Sequence, residues 1–184
     1  LGEYRQVTKN SELILDFGYA KGYKDTSSTR TMGSRTHFFG KSFIDLNLDT
    51  FDESELYLNI EKTSNDTYFR IHDINTKVET GLVDIKDTTL NNEVKLALNK
   101  DDYSININSY LYENITDGSN SRYEYVVPEI LFSKPLFKSE NFGSLNFGSD
   151  AHYRNWDVDK HTYMLINDLS WTSNKKIGEN GIVT

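Results

Sequence analysis

The sequence predicts an all-β fold, an antiparallel up-and-down meander of long strands. Apolar and polar side chains alternate with a period of two through most of the chain, and the alternating runs are separated by corners rich in Asp, Asn, Gly and Ser. Aromatic residues make up 13% of the 184 residues, and there are only two prolines, so little interrupts extended backbone. Alternation of this kind sends successive side chains to opposite faces of a sheet, and Tyr, Phe, Val and Ile favour strands.

The most apolar run, Tyr123 to Phe137, holds both prolines, Pro128 and Pro135. It is too short and interrupted for a membrane-spanning helix, which needs about 20 apolar residues. A proline lacks the amide donor of a sheet ladder and is tolerated at an edge, a bulge or a strand end. The run therefore reads as two extended pieces or one bent strand. Two further strands come after it, NFGSLNFGSDAHYRNW and HTYMLINDLSW, separated by the polar corner DVDK.

Upstream, Ser11 to Tyr19 sets Leu13, Leu15, Phe17 and Tyr19 against Glu12, Ile14, Asp16 and Gly18. Residues 20–36, polar and glycine-containing, read as a long turn or exposed loop. His37 to Asp49 resumes extension, with Phe38, Ile44, Leu46 and Leu48 on one side. After a polar corner at Thr50 to Glu53, SELYLNIEK forms the second arm of a hairpin. Thr63 to Lys77 reads as an irregular connection and Val78 to Ile85 as weakly extended. Leu90 to Leu98 fits either helix or strand spacing, and the Asn pair at 91 and 92 favours the strand. Tyr103 to Tyr112 sets Ile105, Ile107 and Leu111 against Asn106, Asn108, Tyr110 and Tyr112.

The chain thus reads as one region, 1–184, of about nine strands of roughly nine to thirteen residues; globular strands average about 5 to 6 and tilted transmembrane strands need about 9 to 11. Strand length favours a membrane β-barrel, with its polar face toward a water-filled interior. Alternation alone also fits a soluble sandwich with one wet sheet face. The alternative function is accordingly a soluble, secreted β-sandwich that binds or cleaves carbohydrate.

The net charge of -8 and the scattered Lys and Arg exclude a phosphate-binding stripe, so no nucleic-acid partner is expected. The absence of cysteine excludes disulfides, thiolate metal sites and thiol nucleophiles. Both ends read as cut from a longer protein.

Candidate chemistry is sparse. Carboxylates cluster at Asp52, Glu53 and Glu55, at Asp101 and Asp102, and at Asp157 and Asp159. They fall at strand corners, where Asp serves turns, rather than at a glycosidase pair. The histidines, His37, His72, His152 and His161, show no metal-ligand spacing, and read as surface residues at strand ends. His152 and His161 can be brought together across the Asp157 corner. Tyr153, Trp156, Tyr163 and Trp171 read as either a sugar-stacking platform or an interfacial aromatic girdle. No catalytic residue, cofactor or metal is expected.

Several stretches resemble, in order, the barrel domain of the LptD family of lipopolysaccharide-assembly outer-membrane proteins, also called the organic solvent tolerance family. GEYRQVTKNSELILDFGY and SRTHFFGKSFIDLNLDT resemble early strands of that barrel. NIEKTSNDTYFRIHDI resembles its most recognisable signature, with Ser64, Asp66, Thr67 and Tyr68 at the matching positions. RYEYVVPEILFSKPL, FGSLNFGSDAHYRNW and INDLSW resemble later strands of the same barrel. The resemblance implies a middle segment of an outer-membrane barrel of a Gram-negative bacterium, which inserts lipopolysaccharide into the outer leaflet. It implies as partners lipopolysaccharide, outer-membrane lipids, a plug lipoprotein in the lumen, and a periplasmic β-jellyroll bridge contacted through an amino-terminal domain outside this stretch. On this reading the non-enzymatic work is guidance of an amphiphile past lumen-facing Asn106, Asn108, Asn146 and Arg154.

Overall fold

The alternating runs form one continuous antiparallel sheet. The computed structural model describes residues 1–26, 29–64, 89–116, 122–139, 142–157, 160–173, 175–176 and 182–183, with side chains over 1–21, 35–64, 89–116, 122–139, 142–156 and 160–173. The strands are β1 (Gly2–Val7), β2 (Ser11–Thr26), β3 (Thr29–Asp45), β4 (Glu53–Thr63), β5 (Thr89–Lys100), β6 (Tyr103–Asn114), β7 (Tyr123–Ser139), β8 (Gly143–Asp157) and β9 (Lys160–Thr172). Each pairs with its sequence neighbours, in the order β1 to β9, so that β1 and β9 are the two edges of an open sheet. A separate two-stranded pair joins β10 (Lys175–Lys176) to β11 (Ile182–Val183).

The meander and its antiparallel pairing agree with the sequence pattern, with local differences. β1 is a strand of its own. Only Tyr4 marks its apolar side, against Glu3, Arg5 and a solvent-exposed Val7, so its alternation is faint. Residues 20–26 and 29–36, expected as part of a loop, are strand: β2 and β3 continue as a paired ribbon to Thr26 and Thr29. Thr at 26, 29, 31 and 36 suits a strand, and mutual pairing satisfies the backbone without needing an apolar face. β3 ends at Asp45 instead of continuing to Asp49. There Asn47 adopts a left-handed φ of 48° and its amide donates to Asp45 Oδ1 at 3.0 Å, a turn device available to Asn. The ambiguous run at 90–98 is strand β5. The weakly extended 78–85 lies outside the described residues, as does the irregular connection beyond Ser64.

The proline-bearing run is one bent strand, β7. Its register shifts against β8 between Val126 and Glu129 and again between Pro135 and Phe137, so each proline stands at a bulge in an interior strand. The bulge at Val127–Pro128 inserts one extra residue, which reverses the facing of everything after it.

The pairing register carries each face across the sheet. One row runs Ile44, Leu56, Leu96, Ile107, Ile130, Ala151, Leu165. The neighbouring row on the opposite face runs Tyr57, Lys95, Asn108, Glu129, His152, Met164. The same separation holds along the strands, with Leu13, Leu15, Phe17 and Tyr19 on the apolar face and Glu12, Asp16 and Gly18 on the polar one.

Exposure runs opposite to that of a water-soluble domain. On the apolar face of interior strands Ile60 is 46% exposed, Val94 47% and Ile107 39%, while on the polar face His37 is 3% exposed, Glu61 5% and Asn108 8%. Among the described residues the buried apolar side chains are Phe39, Leu90 and Ile115. The polar face is the more enclosed one, as the inner surface of a curved sheet would be.

The two ends of the sheet differ. At one end the chain reverses through Thr8–Asn10, Leu46–Asp52 and Asp101–Asp102. At the other lie the β4–β5 connection, residues 64–88, the shorter β6–β7 and β8–β9 connections, and the β2–β3 ribbon, which runs past the last β3–β4 pair at His37 and Thr63. At the short-turn end Gly143, after β7, has a φ of +91°, and a Cβ there would lie 2.1 Å from the carbonyl oxygen of Thr172. Only glycine fits that turn.

Candidate functional site

The polar face is the part of the molecule where chemistry-bearing side chains gather. Starting at β2, Asp16 Oδ1 lies 3.0 Å from Nε2 of His37, whose ring stacks on Phe39 at 4.8 Å and 13°. His37 is thus a buried, partnered residue and not a surface histidine at a strand end. Its position depends on Gly18, its cross-strand partner.

Between β4 and β5 the regular pairing stops at Asn59 and Glu93, and side chains take over from the ladder. The Asn91 amide donates to Glu61 Oε2 at 2.6 Å, the Glu61 amide to Asn92 Oδ1 at 3.0 Å, and Asn59 Nδ2 to the Asn91 carbonyl at 2.8 Å. Backbone groups that would otherwise be unsatisfied are thereby paired. Further along, Lys95 Nζ stands 5.3 Å from the Tyr57 ring and 5.4 Å from the Tyr110 ring, and pairs with Glu93 at 2.7 Å. This places a cation against two π faces.

The four residues assigned from sequence to a lumen path share this face. Asn106 pairs with Ala97 and Leu131, Asn108 with Lys95 and Glu129, Asn146 with Pro135 and Ser170, and Arg154 with Val126 and Thr162. Asn108 Nδ2 donates to Glu129 Oε2 at 2.8 Å, and Arg154 Nε donates to Glu124 Oε1 at 2.7 Å. Leu145 and Phe147, flanking Asn146, stand on the opposite face with Trp171 and Leu169.

Of the family-motif positions, Ser64 closes β4: its amide donates to the Thr36 carbonyl and its Oγ accepts from the Thr36 amide, both at 2.8 Å. Asp66, Thr67 and Tyr68 lie outside the described residues, as do His72 and Asp159.

The carboxylate corners serve turns. Asp52 Oδ2 accepts the Asp101 amide at 2.8 Å, and Glu53 Oε2 accepts Asn99 Nδ2 at 3.1 Å, tying the β3–β4 and β5–β6 corners together. His152 and His161 do not meet. His152 pairs with Met164 on the polar face, whereas His161 pairs with Asn155 on the apolar face. Of the four aromatics read as a platform or girdle, Tyr153, Tyr163 and Trp171 stand on the apolar face, but Trp156 lies under the Arg154 guanidinium, 5.6 Å away, on the polar one.

Polar groups also mark a rim on the apolar face. Beyond Leu111, Glu113 accepts from Lys62 Nζ at 3.0 Å, Arg122 Nη2 at 2.6 Å and Tyr123 Oη at 3.2 Å. At the other end Phe51, Tyr103 and Phe132 form a chain of ring contacts of 6.3 and 6.4 Å. Tyr103 and Glu113 thus stand about 33 Å apart along β6, at about 3.3 Å per residue.

Sequence spacing missed one constellation. Glu129, Asp150 and His152 offer ligand atoms that all lie within 4.8 Å of one another on the polar face. They come from two strands and meet only because the β7 bulge turns Glu129 to that side. The chain matches no protein-family model and no curated protein.

Proposed function

We propose that this chain is a wall segment of an outer-membrane β-barrel that carries lipopolysaccharide to the outer leaflet, as its resemblance to the LptD family implies. One observation carries the membrane part of this reading: large apolar side chains are exposed on one face while charged and amide groups occupy the more enclosed opposite face. In water such a surface would be an aggregation liability; against lipid, apolar-out and polar-in is the stable arrangement, with aromatic residues at the interfaces. The long β4–β5 connection and the extended β2–β3 ribbon stand at one end of the sheet, which fits an extracellular side there.

On this reading the polar face, including Asn106, Asn108, Asn146 and Arg154, guides the sugar and phosphate groups of the amphiphile, and no residue is catalytic. The resemblance supplies the partners: a plug lipoprotein in the lumen and a periplasmic β-jellyroll bridge. Depleting the protein in its own cells is expected to remove lipopolysaccharide from the surface and accumulate it at the inner membrane or in the periplasm. Unchanged surface lipopolysaccharide would contradict the assembly role.

A further inference from the structure

We propose that Glu129, Asp150 and His152 bind a divalent transition-metal ion, with zinc as the best-matched species. The proposal does not rest on the transport reading. The donor set comes first: one imidazole and two carboxylates suit zinc-class ions, whereas magnesium and calcium favour oxygen alone. His152 Nδ1 and Asp150 Oδ1 are 3.1 Å apart, near the roughly 3.3 Å between two ligands of a tetrahedral ion with bonds of about 2.0 Å. The third ligand, from Glu129, lies within 4.8 Å of both, so small side-chain rotations close the site.

Charge points the same way. Among the described residues neither Glu129 nor Asp150 pairs with a Lys or Arg; Asp150 has the hydrogen bond with His152, a ligand of the same cluster, and the neighbouring Arg154 is engaged by Glu124. Two half-buried carboxylates this close repel each other, and a divalent cation would balance them.

The surroundings are those of an oriented ligand. Glu129 Oε2 accepts from Asn108 Nδ2 at 2.8 Å and from Tyr110 Oη at 3.3 Å, which fixes the carboxylate as outer partners do at metal sites. The β7 bulge is what sends Glu129 to this face; with unbroken alternation from Tyr125 it would point to the apolar side. Gly148, two residues before Asp150, leaves open space beside the cluster, since an added Cβ meets nothing within 4 Å. Three protein ligands leave a coordination position for water or an anionic oxygen.

The test is calorimetric titration of Zn2+ into the detergent-purified protein after chelator stripping, with Mg2+ as competitor. One site per chain is expected, insensitive to Mg2+, weakened at least about 10-fold in Glu129→Gln and His152→Asn, and about 10-fold in Asn108→Ala. Zinc affinity unchanged in the Glu129→Gln, His152→Asn double variant, or no zinc bound at all, would overturn the proposal. X-ray absorption on the zinc-loaded wild type keeps the test independent of variant folding: an imidazole with oxygens is expected, and an oxygen-only shell would also overturn it.

Discussion

His37 lies flat across Gly18, its partner on the neighbouring strand: a Cβ added at Gly18 would stand 2.5 Å from Cε1 of the imidazole. The missing side chain lets the ring reach Asp16 and stack on Phe39 in a buried position. Gly2 and Phe17 repeat the arrangement on the apolar face, where a Cβ would meet the ring at 2.6 Å. In both cases an aromatic ring covers a strand glycine, a device that secures register.

Gly18→Ala should therefore destabilise the sheet by about 1 to 3 kcal/mol through overpacking. Gly148→Ala, which adds the same methyl where nothing lies within 4 Å, should be close to neutral. Urea unfolding of the two variants in detergent micelles makes the comparison, and equal losses would show that backbone propensity and not the His37 contact matters.

Glu113 is the acceptor for three donors at the rim, and its side chain is 6% exposed while that of Lys62 is 61% exposed. Truncating the acceptor leaves Arg122 and Tyr123 without it, so Glu113→Ala should lose about 2 to 4 kcal/mol. Lys62→Ala, the loss of an exposed partner, should lose no more than about 1 kcal/mol. Thermal unfolding followed by circular dichroism would reveal the order, and a larger loss from Lys62→Ala would contradict it.

Leu145 and Phe147 alternate with Asn146 on opposite faces of β8. Arg at Leu145 or Phe147 should impair assembly in the membrane by about 2 to 4 kcal/mol if those positions face mid-bilayer, whereas Arg at Asn146 should be tolerated. Counting folded protein in outer-membrane fractions would decide the matter; equal yields from both faces would remove the lipid-facing assignment.

The parts of this fold legible in the sequence are those where the physical requirement is local. Leu13 to Tyr19, Leu56 to Ile60, and Ile105 to Leu111 alternate because each strand has one apolar and one polar side, and the bend at Pro128 comes from its missing donor. β1 and the ribbon of β2 and β3 escaped because neither shows a clear apolar stripe in the sequence, while backbone pairing runs through both. The Glu129, Asp150 and His152 cluster was not legible because the bulge changes which face Glu129 occupies, and a one-residue slip reverses every later side chain. The buried state of His37 likewise depends on Gly18, a cross-strand relation that no spacing along the chain expresses.

The central claim, that one face of the sheet meets lipid and the other water, is open to direct measurement because the chain contains no cysteine. Single cysteines at Leu145, Asn146, Phe147, Leu165, Asp168 and Leu169 would each carry a nitroxide label in the protein reconstituted into lipid vesicles. Labels at Leu145, Phe147, Leu165 and Leu169 should collide with oxygen dissolved in the bilayer, and those at Asn146 and Asp168 with a polar nickel chelate. Loss of this alternation, with both faces open to the chelate, would contradict the membrane reading.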